Sequence, residues 1–373
     1  MLENMFVPNI PATGELVNPL SGLVLHFGET GEAARPCEAA HVGISALPGV
    51  GVQVPSVCVY VSPSSIKRMK KLYAPLGRHI TVKGLFFAES ELDAAAFMSM
   101  MAISSSDSAP LYMQTVMGIL RNLGEDYSYA AFMRTLESKK STMTPIQQDM
   151  LQQRMELLQT FLEPRSSTRV APSPRFKKGQ ITIIDLSDPF IDAPKACALF
   201  EIVLRLFQRA KVDTGKVLVV DEAHKYLSQT RTSSGLTNAL LTLIRQQRHM
   251  SMRVIISTQE PTIIPPVFID LCSVVILHRF SSSAWWDHLG KHVSSDLSGD
   301  DTFDKVVQLK TGEAIVLAPS GLCIFQTAAV KGQDSDGDNK PKRVLGQFGR
   351  RFILVRTRKR ITHDGGASLL AVE

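Results

Sequence analysis

The sequence predicts an α/β fold: a mainly parallel sheet with helices on both faces and an all-helical insertion. Three observations carry this. Apolar runs at Ile181 to Leu186, Val217 to Val220 and Val254 to Ser257 alternate with amphipathic periods at Ala193 to Ala210 and Gly235 to Gln247. Strands that are apolar throughout belong to sheets covered on both faces. Two earlier runs of the same kind, Leu23 to Phe27 and Val57 to Val61, precede them. Between the two groups, Ser90 to Leu162 places apolar residues three and four apart without strand-like alternation, which is helical spacing.

Taken in order, Leu23 to Phe27 is the first strand and runs straight into Gly28-Glu29-Thr30-Gly31. The β-branched run Val57 to Val61 is the second, and Ser62-Pro63-Ser64-Ser65 after it offers caps for a basic helix, Ile66 to Tyr73. Ile80 to Phe87 is a third strand candidate. Glu91 to Ile103, Pro110 to Leu123, Tyr129 to Ser138 and Pro145 to Leu162 then read as helices whose methionines lie on the apolar stripes as soft core packing. Pro164 to Lys178, with three prolines, reads as an exposed connection. Val274 to Leu277, ending in His278-Arg279, reads as a further strand of the same sheet.

Composition narrows the class. With 44% hydrophobic and 20% charged residues, the 373-residue chain is neither disordered, collagenous nor coiled-coil. The net charge of +6 permits a polyanionic partner without demanding one. Five cysteines are scattered without a CxxC pair or a nearby histidine at metal-ligand spacing, so neither a zinc site nor a disulfide framework is expected. The N-terminus lacks the basic start and apolar run of a signal peptide, and no stretch approaches the ~20 apolar residues that span a bilayer. These features predict an intracellular protein, cytoplasmic or nuclear, with no membrane contact.

The chemistry lies in Lys216-Val-Leu-Val-Val-Asp221-Glu222-Ala223-His224, an apolar strand that delivers two acids at its C-terminal end. Ligands bind at that edge of open α/β sheets. Adjacent carboxylates there suit Mg-ATP hydrolysis, Asp221 holding Mg²⁺ and Glu222 polarising the attacking water. The same pattern also fits a solvated turn with Asp221 as N-cap. A second strand, Val254-Ile-Ile-Ser-Thr258-Gln259, brings Thr258 and Gln259 beside the acids, where an amide senses a γ-phosphate or orients water. Arg245, Arg248 and Arg253 flank it, as a cation offered to a neighbouring subunit's nucleotide or as helix C-terminal charges favoured by the macrodipole. Arg279 is expected at the same edge as the acids.

The strand Ile181 to Ser187, the acidic pair, the block Arg245 to Pro261 and Ile269 to Arg279 together resemble the HerA/FtsK group of P-loop ATPases, DNA motors that work as hexameric rings. The resemblance covers Gly179 to about Gly321 and implies a P-loop NTPase-like core, ATP and Mg²⁺ as ligands, a homo-oligomer and DNA as partner. Asp-Glu-Ala-His is also motif II of DEAH-box helicases, but their Ser-Ala-Thr and late Gln-Arg-x-Gly-Arg motifs are absent from the sequence.

The phosphate loop is the departure. G-x-x-x-x-G-K-[ST] surrounds phosphates with backbone N–H groups and neutralises them with lysine, and no such match exists in this chain. In its place stands Gly28-Glu29-Thr30-Gly31-Glu32-Ala33-Ala34-Arg35. Gly28, Thr30 and Gly31 agree with the HerA-like pattern; Ala33 replaces the last glycine, Ala34 the lysine and Arg35 the hydroxyl residue. Arg35 is then the cation left for a phosphate, and Pro36 suits the first turn of a following helix. Such a chain is either an ATPase of weak or absent turnover or a non-catalytic scaffold that keeps the fold for oligomerisation or nucleic-acid binding.

The expected organisation is residues 1–89 as the N-terminal part of the core, 90–164 as the helical insertion and 165–178 as a linker. Residues 179–330 form the C-terminal part with the Walker B acids, and 331–373 a basic tail. In the tail, alternation over Phe352 to Ile361 puts Arg356, Arg358 and Arg360 on one face of an extended strand, suited to phosphate backbones or to guarding a sheet edge. Trp285-Trp286 suits stacking on a base or burial as helix anchors.

Overall fold

The computed structural model describes residues 1–11, 13–31, 34–46, 52–100, 111–163, 174–227, 235–293, 300–326 and 343–364. Glu32 and Ala33 of the phosphate-loop position, most of the linker, and the acidic stretch 332–339 with Lys340 and Lys342 lie outside them. The chain forms two units, Met1–Gln259 with Arg360–Glu373, and Glu260–Lys359.

In the first unit, helix α1 (Leu2–Phe6) and the short pair β1 (Asn9–Ile10) and β2 (Gly14–Glu15) lead into β3 (Ser21–His26), every residue of which is buried. β4 (Ser56–Val61), α2 (Ile66–Tyr73) and β5 (Ile80–Gly84) follow. The helices are α3 (Ala94–Met100), α4 (Leu111–Leu123), α5 (Tyr129–Lys140) and α6 (Pro145–Thr160). Then come β6 (Gln180–Asp185), α7 (Ala193–Arg209), β7 (Lys216–Val220), α8 (Gly235–Gln246) and β8 (Met252–Ile256). The six strands β3 to β8 form one parallel sheet in the order β5-β4-β6-β3-β7-β8. This is an α/β fold built on a parallel central sheet.

Alternation along the strands sorts the core onto two faces. Val24, Val57, Val59, Val61, Ile181, Ile183, Val217 and Val219 pack with Phe6, Val42, Met69 and Tyr73 on one side. Their neighbours Leu23, Leu25, Ile184, Leu218 and Val220 are equally buried on the other. Each such side chain contributes about 1.5–3 kcal/mol by leaving water. Helix α7 buries Phe200, Val203, Leu204 and Phe207, packs against α3 and α8, and starts where the Asp192 carboxylate accepts from Lys195 N–H at 2.9 Å.

The serine run after β4 does not cap α2. Ser64 donates to Asp188 instead, and Pro63–Ser65 tightens into a 3-10 turn ahead of the helix. The helical insertion leaves and rejoins the sheet side by side, since Phe87 pairs with Leu162 in a parallel bridge. Its helices close over Phe97 and Phe132, whose rings lie 4.3 Å apart. The C-terminal segment returns to the first unit as well. Buried Glu3 accepts from Ile361 N–H at 2.9 Å, Thr362 N–H at 2.7 Å and Thr362 Oγ1 at 2.8 Å, beside an antiparallel bridge between Ser45 and Thr362.

The second unit holds α9 (Pro266–Asp270), β9 (Val275–Leu277), α10 (Ser283–His292), α11 (Asp300–Val307), β10 (Glu313–Leu317), β11 (Leu322–Gln326), β12 (Arg343–Gln347) and β13 (Phe352–Arg356). β9 is not part of the parallel sheet as its apolar run implied. It pairs antiparallel with β10 in a separate sheet, β13-β10-β9. Trp286 is partly buried and packs against the core of this unit, with its ring 5.4 Å from that of Phe303. The chain also leaves extended pairing at Arg356, so the three arginines do not share one strand face: Arg356 ends β13, Arg358 follows it, and Arg360 belongs to the first unit, hydrogen-bonded to Asp364 and Thr362.

Candidate functional site

β3 and β7 are neighbours whose onward connections run in opposite directions, β3 to β4 and β7 to β8, so the crevice beyond their C-terminal ends is the topological switch point of the sheet. Asp221 lies there, its N–H bonded to Leu25 O at 3.0 Å and its carbonyl to Tyr226 OH at 2.9 Å. Glu222 follows in the left-handed region, φ 51° and ψ 41°, a costly conformation for a residue with a side chain and one that collects at functional turns. Gln259, just past β8, donates from Nε2 to Glu222 Oε1 at 2.7 Å. The other carboxylate oxygen of Glu222 is buried without a hydrogen-bond partner among the described residues, and His224 Nε2 stands 3.5 Å away. Thr258 is half-buried on the same loop.

The other expected site residues divide. Gly28 donates its N–H to Ser187 Oγ at 2.9 Å, past β3 at the same edge. Thr30, Gly31 and Arg35 are exposed beyond it, with Gly31 at φ 72°. No α-helix starts at Pro36. The chain instead passes through Cys37 into a six-residue 3-10 helix, Glu38–Gly43. Glu29 is paired with Lys225 Nζ at 2.9 Å, and that bond lowers its pKa. Arg248 is exposed ahead of β8, at the opposite edge of the sheet from the acids, and Arg253 donates to its neighbour's carbonyl. Arg279 lies in the second unit.

The residues that fill the switch point were not singled out in the sequence. His26, the last residue of β3, bonds through Nδ1 to Asp221 Oδ2 at 2.9 Å. Cys37 completes the group: one ligand atom each from His26, Cys37 and Asp221 lie within 4.8 Å of one another. Behind them Tyr73 OH accepts from Cys37 N–H at 2.9 Å and donates to Asp185 Oδ2 at 2.6 Å, while Asp185 Oδ1 accepts from Ser187 N–H at 3.0 Å. Cys37, Tyr73, Asp185 and Ser187 are all at most 1% exposed. Their signals were an imidazole inside an apolar strand and an acid ending another; the intervening fold, not spacing, joins them.

Electrostatics follows from burial. Desolvation opposes a charge on His26, but the Cys37 sulfur and the Asp221 hydrogen bond outweigh it and raise its pKa well above the ordinary histidine value. Burial pushes the Cys37 thiol up against the lowering influence of His26. Burial, reinforced by Asp185, lifts Tyr73 far above the usual phenol range and keeps it a donor.

These residues do not fit a magnesium-nucleotide centre of the Walker type. Ala34, which the resemblance sets at the lysine position, is 7% exposed. A Cβ on Gly28 would lie 2.7 Å from His26 Nε2 and 2.9 Å from Ser187 Oγ, so the glycine makes room for an imidazole and a hydroxyl. The carboxylate expected to hold Mg²⁺ is engaged by that imidazole beside a thiol, whereas Mg²⁺ takes oxygen ligands in octahedral geometry.

No curated protein matches the sequence. The profile of the ATPase family associated with various cellular activities (AAA) matches residues 196–280, a segment holding β7 and β8. Among solved structures, the DNA-packaging ATPase B204 from Sulfolobus turreted icosahedral virus shares 20% identity, with TM-score 0.29 over 37% of this chain and 61% of that one. The genome packaging NTPase B204 from Sulfolobus turreted icosahedral virus 2, in complex with AMP, shares 17% at TM-score 0.27 over 37% and 61%. VirB4 of Thermoanaerobacter pseudethanolicus shares 11% at TM-score 0.43 over 84% and 93%. The chain thus spans about three fifths of the packaging enzymes' length. By its sheet and its matched segment the chain is similar to P-loop ATPases, and among them it resembles the HerA/FtsK group.

Proposed function

We propose that this chain is a HerA/FtsK-type ATPase core in which nucleotide binding is separated from magnesium-dependent hydrolysis, so that it works as a non-hydrolysing, oligomer-forming scaffold for nucleic acid. The observation that carries the reading is the hydrogen bond from His26 to Asp221 at 2.9 Å. Together with the alanine at the lysine position, it removes both cation-handling elements of the phosphate site while the sheet stays intact. The order of the segments and the matched region support the ATPase ancestry. DNA as partner and a ring as assembly come from the resemblance to DNA motors.

One observation favours a second reading, an active ATPase. Glu222 keeps an oxygen with no hydrogen-bond partner among the described residues, 3.5 Å from His224 Nε2, and its Gln259 contact, as a water-polarising carboxylate would. Purified full-length chain assayed with Mg-ATP beside Glu222→Gln separates the two. The proposal expects no turnover above the Glu222→Gln background, measurable binding of a fluorescent ATP analogue, and one light-scattering mass with and without nucleotide. Turnover that Glu222→Gln abolishes would overturn it in favour of the active enzyme.

A further inference from the structure

We propose that His26, Cys37 and Asp221 form a mononuclear zinc site at the switch point of the sheet. Zn²⁺ takes imidazole, thiolate and carboxylate ligands, and non-structural sites use three protein groups with a fourth position left to water or substrate. The chain supplies that set from three elements: the end of β3, the lead-in to the 3-10 helix, and the end of β7. Tetrahedral bonds of about 2.0–2.3 Å put neighbouring ligand atoms about 3.5 Å apart, and the three ligand atoms already lie within 4.8 Å of one another. The group is therefore near the spacing that an ion requires.

The surroundings are those of a held site. Cys37 is fixed through its N–H by Tyr73 OH, and Tyr73 in turn by Asp185, the kind of outer hydrogen bonding that orients metal ligands. Gly28 leaves space beside His26 Nε2, near Ser187 Oγ. Exposure rises from Cys37 at 0% through the His26 side chain at 11% to that of Asp221 at 23%, so the fourth position opens on the Asp221 side. Charge balances as well: a thiolate and a carboxylate neutralise a divalent ion in a buried place. Binding releases the Cys37 thiol proton and one proton of the His26 imidazolium to solvent, and the S–H bond, that N–H bond and the His26–Asp221 hydrogen bond give way to one sulfur–metal, one nitrogen–metal and one oxygen–metal bond. A nucleophilic Cys-His-Asp triad is the other use of these residues, but a thiol with no exposed surface meets no substrate. The thiol also argues against Mg²⁺ and for a softer ion.

The test uses full-length protein purified without chelator. Elemental analysis is expected to give ~1 zinc per chain. Metal-free protein titrated with Co²⁺ is expected to develop a near-ultraviolet thiolate-to-cobalt band together with the strong visible bands of four-coordinate cobalt. Cys37→Ser should remove the ultraviolet band. Tyr73→Phe, which leaves all three ligands in place, should weaken zinc by about 10–100-fold in competition with a chromophoric chelator. Wild-type protein that is folded by circular dichroism yet carries no zinc and gives no thiolate band overturns the site, whatever the variants do. ATP turnover is read separately, so an active enzyme with the cobalt band would refute the scaffold reading and leave the zinc site standing.

Discussion

Tyr73 is the residue whose hydroxyl does most for its size, and Tyr73→Phe removes that hydroxyl while leaving the ring in the core. The phenol is 1% exposed and serves two buried partners: it accepts from Cys37 N–H at 2.9 Å and donates to Asp185 Oδ2 at 2.6 Å. Without it, the Cys37 amide is stranded in a dry interior, at about 1–3 kcal/mol, and Asp185 loses a hydrogen bond to a charged group, at about 1.5–3 kcal/mol. Asp185 keeps its bond from Ser187 N–H, and neighbouring losses are not additive, so the expected total is about 3 kcal/mol. That is a large part of the 5–15 kcal/mol typical of a folded domain. Urea unfolding should be followed by far-ultraviolet circular dichroism, because both tryptophans lie in the 260–359 unit and do not report on this sheet. Hydrogen exchange in peptides spanning Ala34 to Ala46 should accelerate in parallel. A loss below about 0.5 kcal/mol, the size of an ordinary surface change, with unchanged exchange would refute the bridging role.

Further outcomes follow from single contacts. Asp93 precedes α3, accepts from Ala96 N–H at 2.7 Å and pairs with exposed Arg209 at 2.7 Å; burial opposes the shift, but these bonds outweigh it and lower its pKa. Asp93→Asn should therefore cost about 1 kcal/mol near neutrality. Because the folded pKa is the lower one, that cost is present above the unfolded value of about 3.9 and fades as pH falls through the folded value; a cost independent of pH between 7 and roughly 2 would contradict the assignment. Gly28→Ala should destabilise the nucleotide-free chain by about 1–3 kcal/mol, since its Cβ meets His26 and Ser187, and a neutral change in thermal unfolding would mean that the imbalance is absorbed elsewhere and the close packing is not real. If the scaffold binds duplex DNA through phosphates, Arg356→Ser should reduce the salt slope by about 0.9 while Arg360→Ser, whose guanidinium is tied to Asp364, changes it less; equal slopes for wild type and Arg356→Ser would exclude Arg356 as a contact.

The sequence made the inner sheet readable because β3, β6 and β7 are buried along their whole length and so read as apolar runs. Val217 to Val220 announced itself in this way, Val254 to Ser257 is a half-exposed edge strand that carries an apolar run all the same, and parallel pairing then placed Gln259 against Glu222. The same criterion misassigned Val274 to Leu277, since a short apolar run does not record which sheet takes it. Alternation likewise projected Arg356, Arg358 and Arg360 onto one face, although the strand ends at the first of them. His26 and Cys37 were invisible as a pair because the residues between them carry no periodic signal in the sequence. Tyr73 and Asp185 sit 112 residues apart and meet only because β6 inserts between β4 and β3.

The carboxylate of Glu3 finds its partners at Ile361 and Thr362, and this sets an order of events during synthesis. A chain growing from its N-terminus at about 5–20 residues per second needs on the order of 20–70 s to produce those partners after Glu3 has emerged. Throughout that interval Glu3 lacks these three donors, so the closure they make beside α1 comes only after the 260–359 segment has been synthesised.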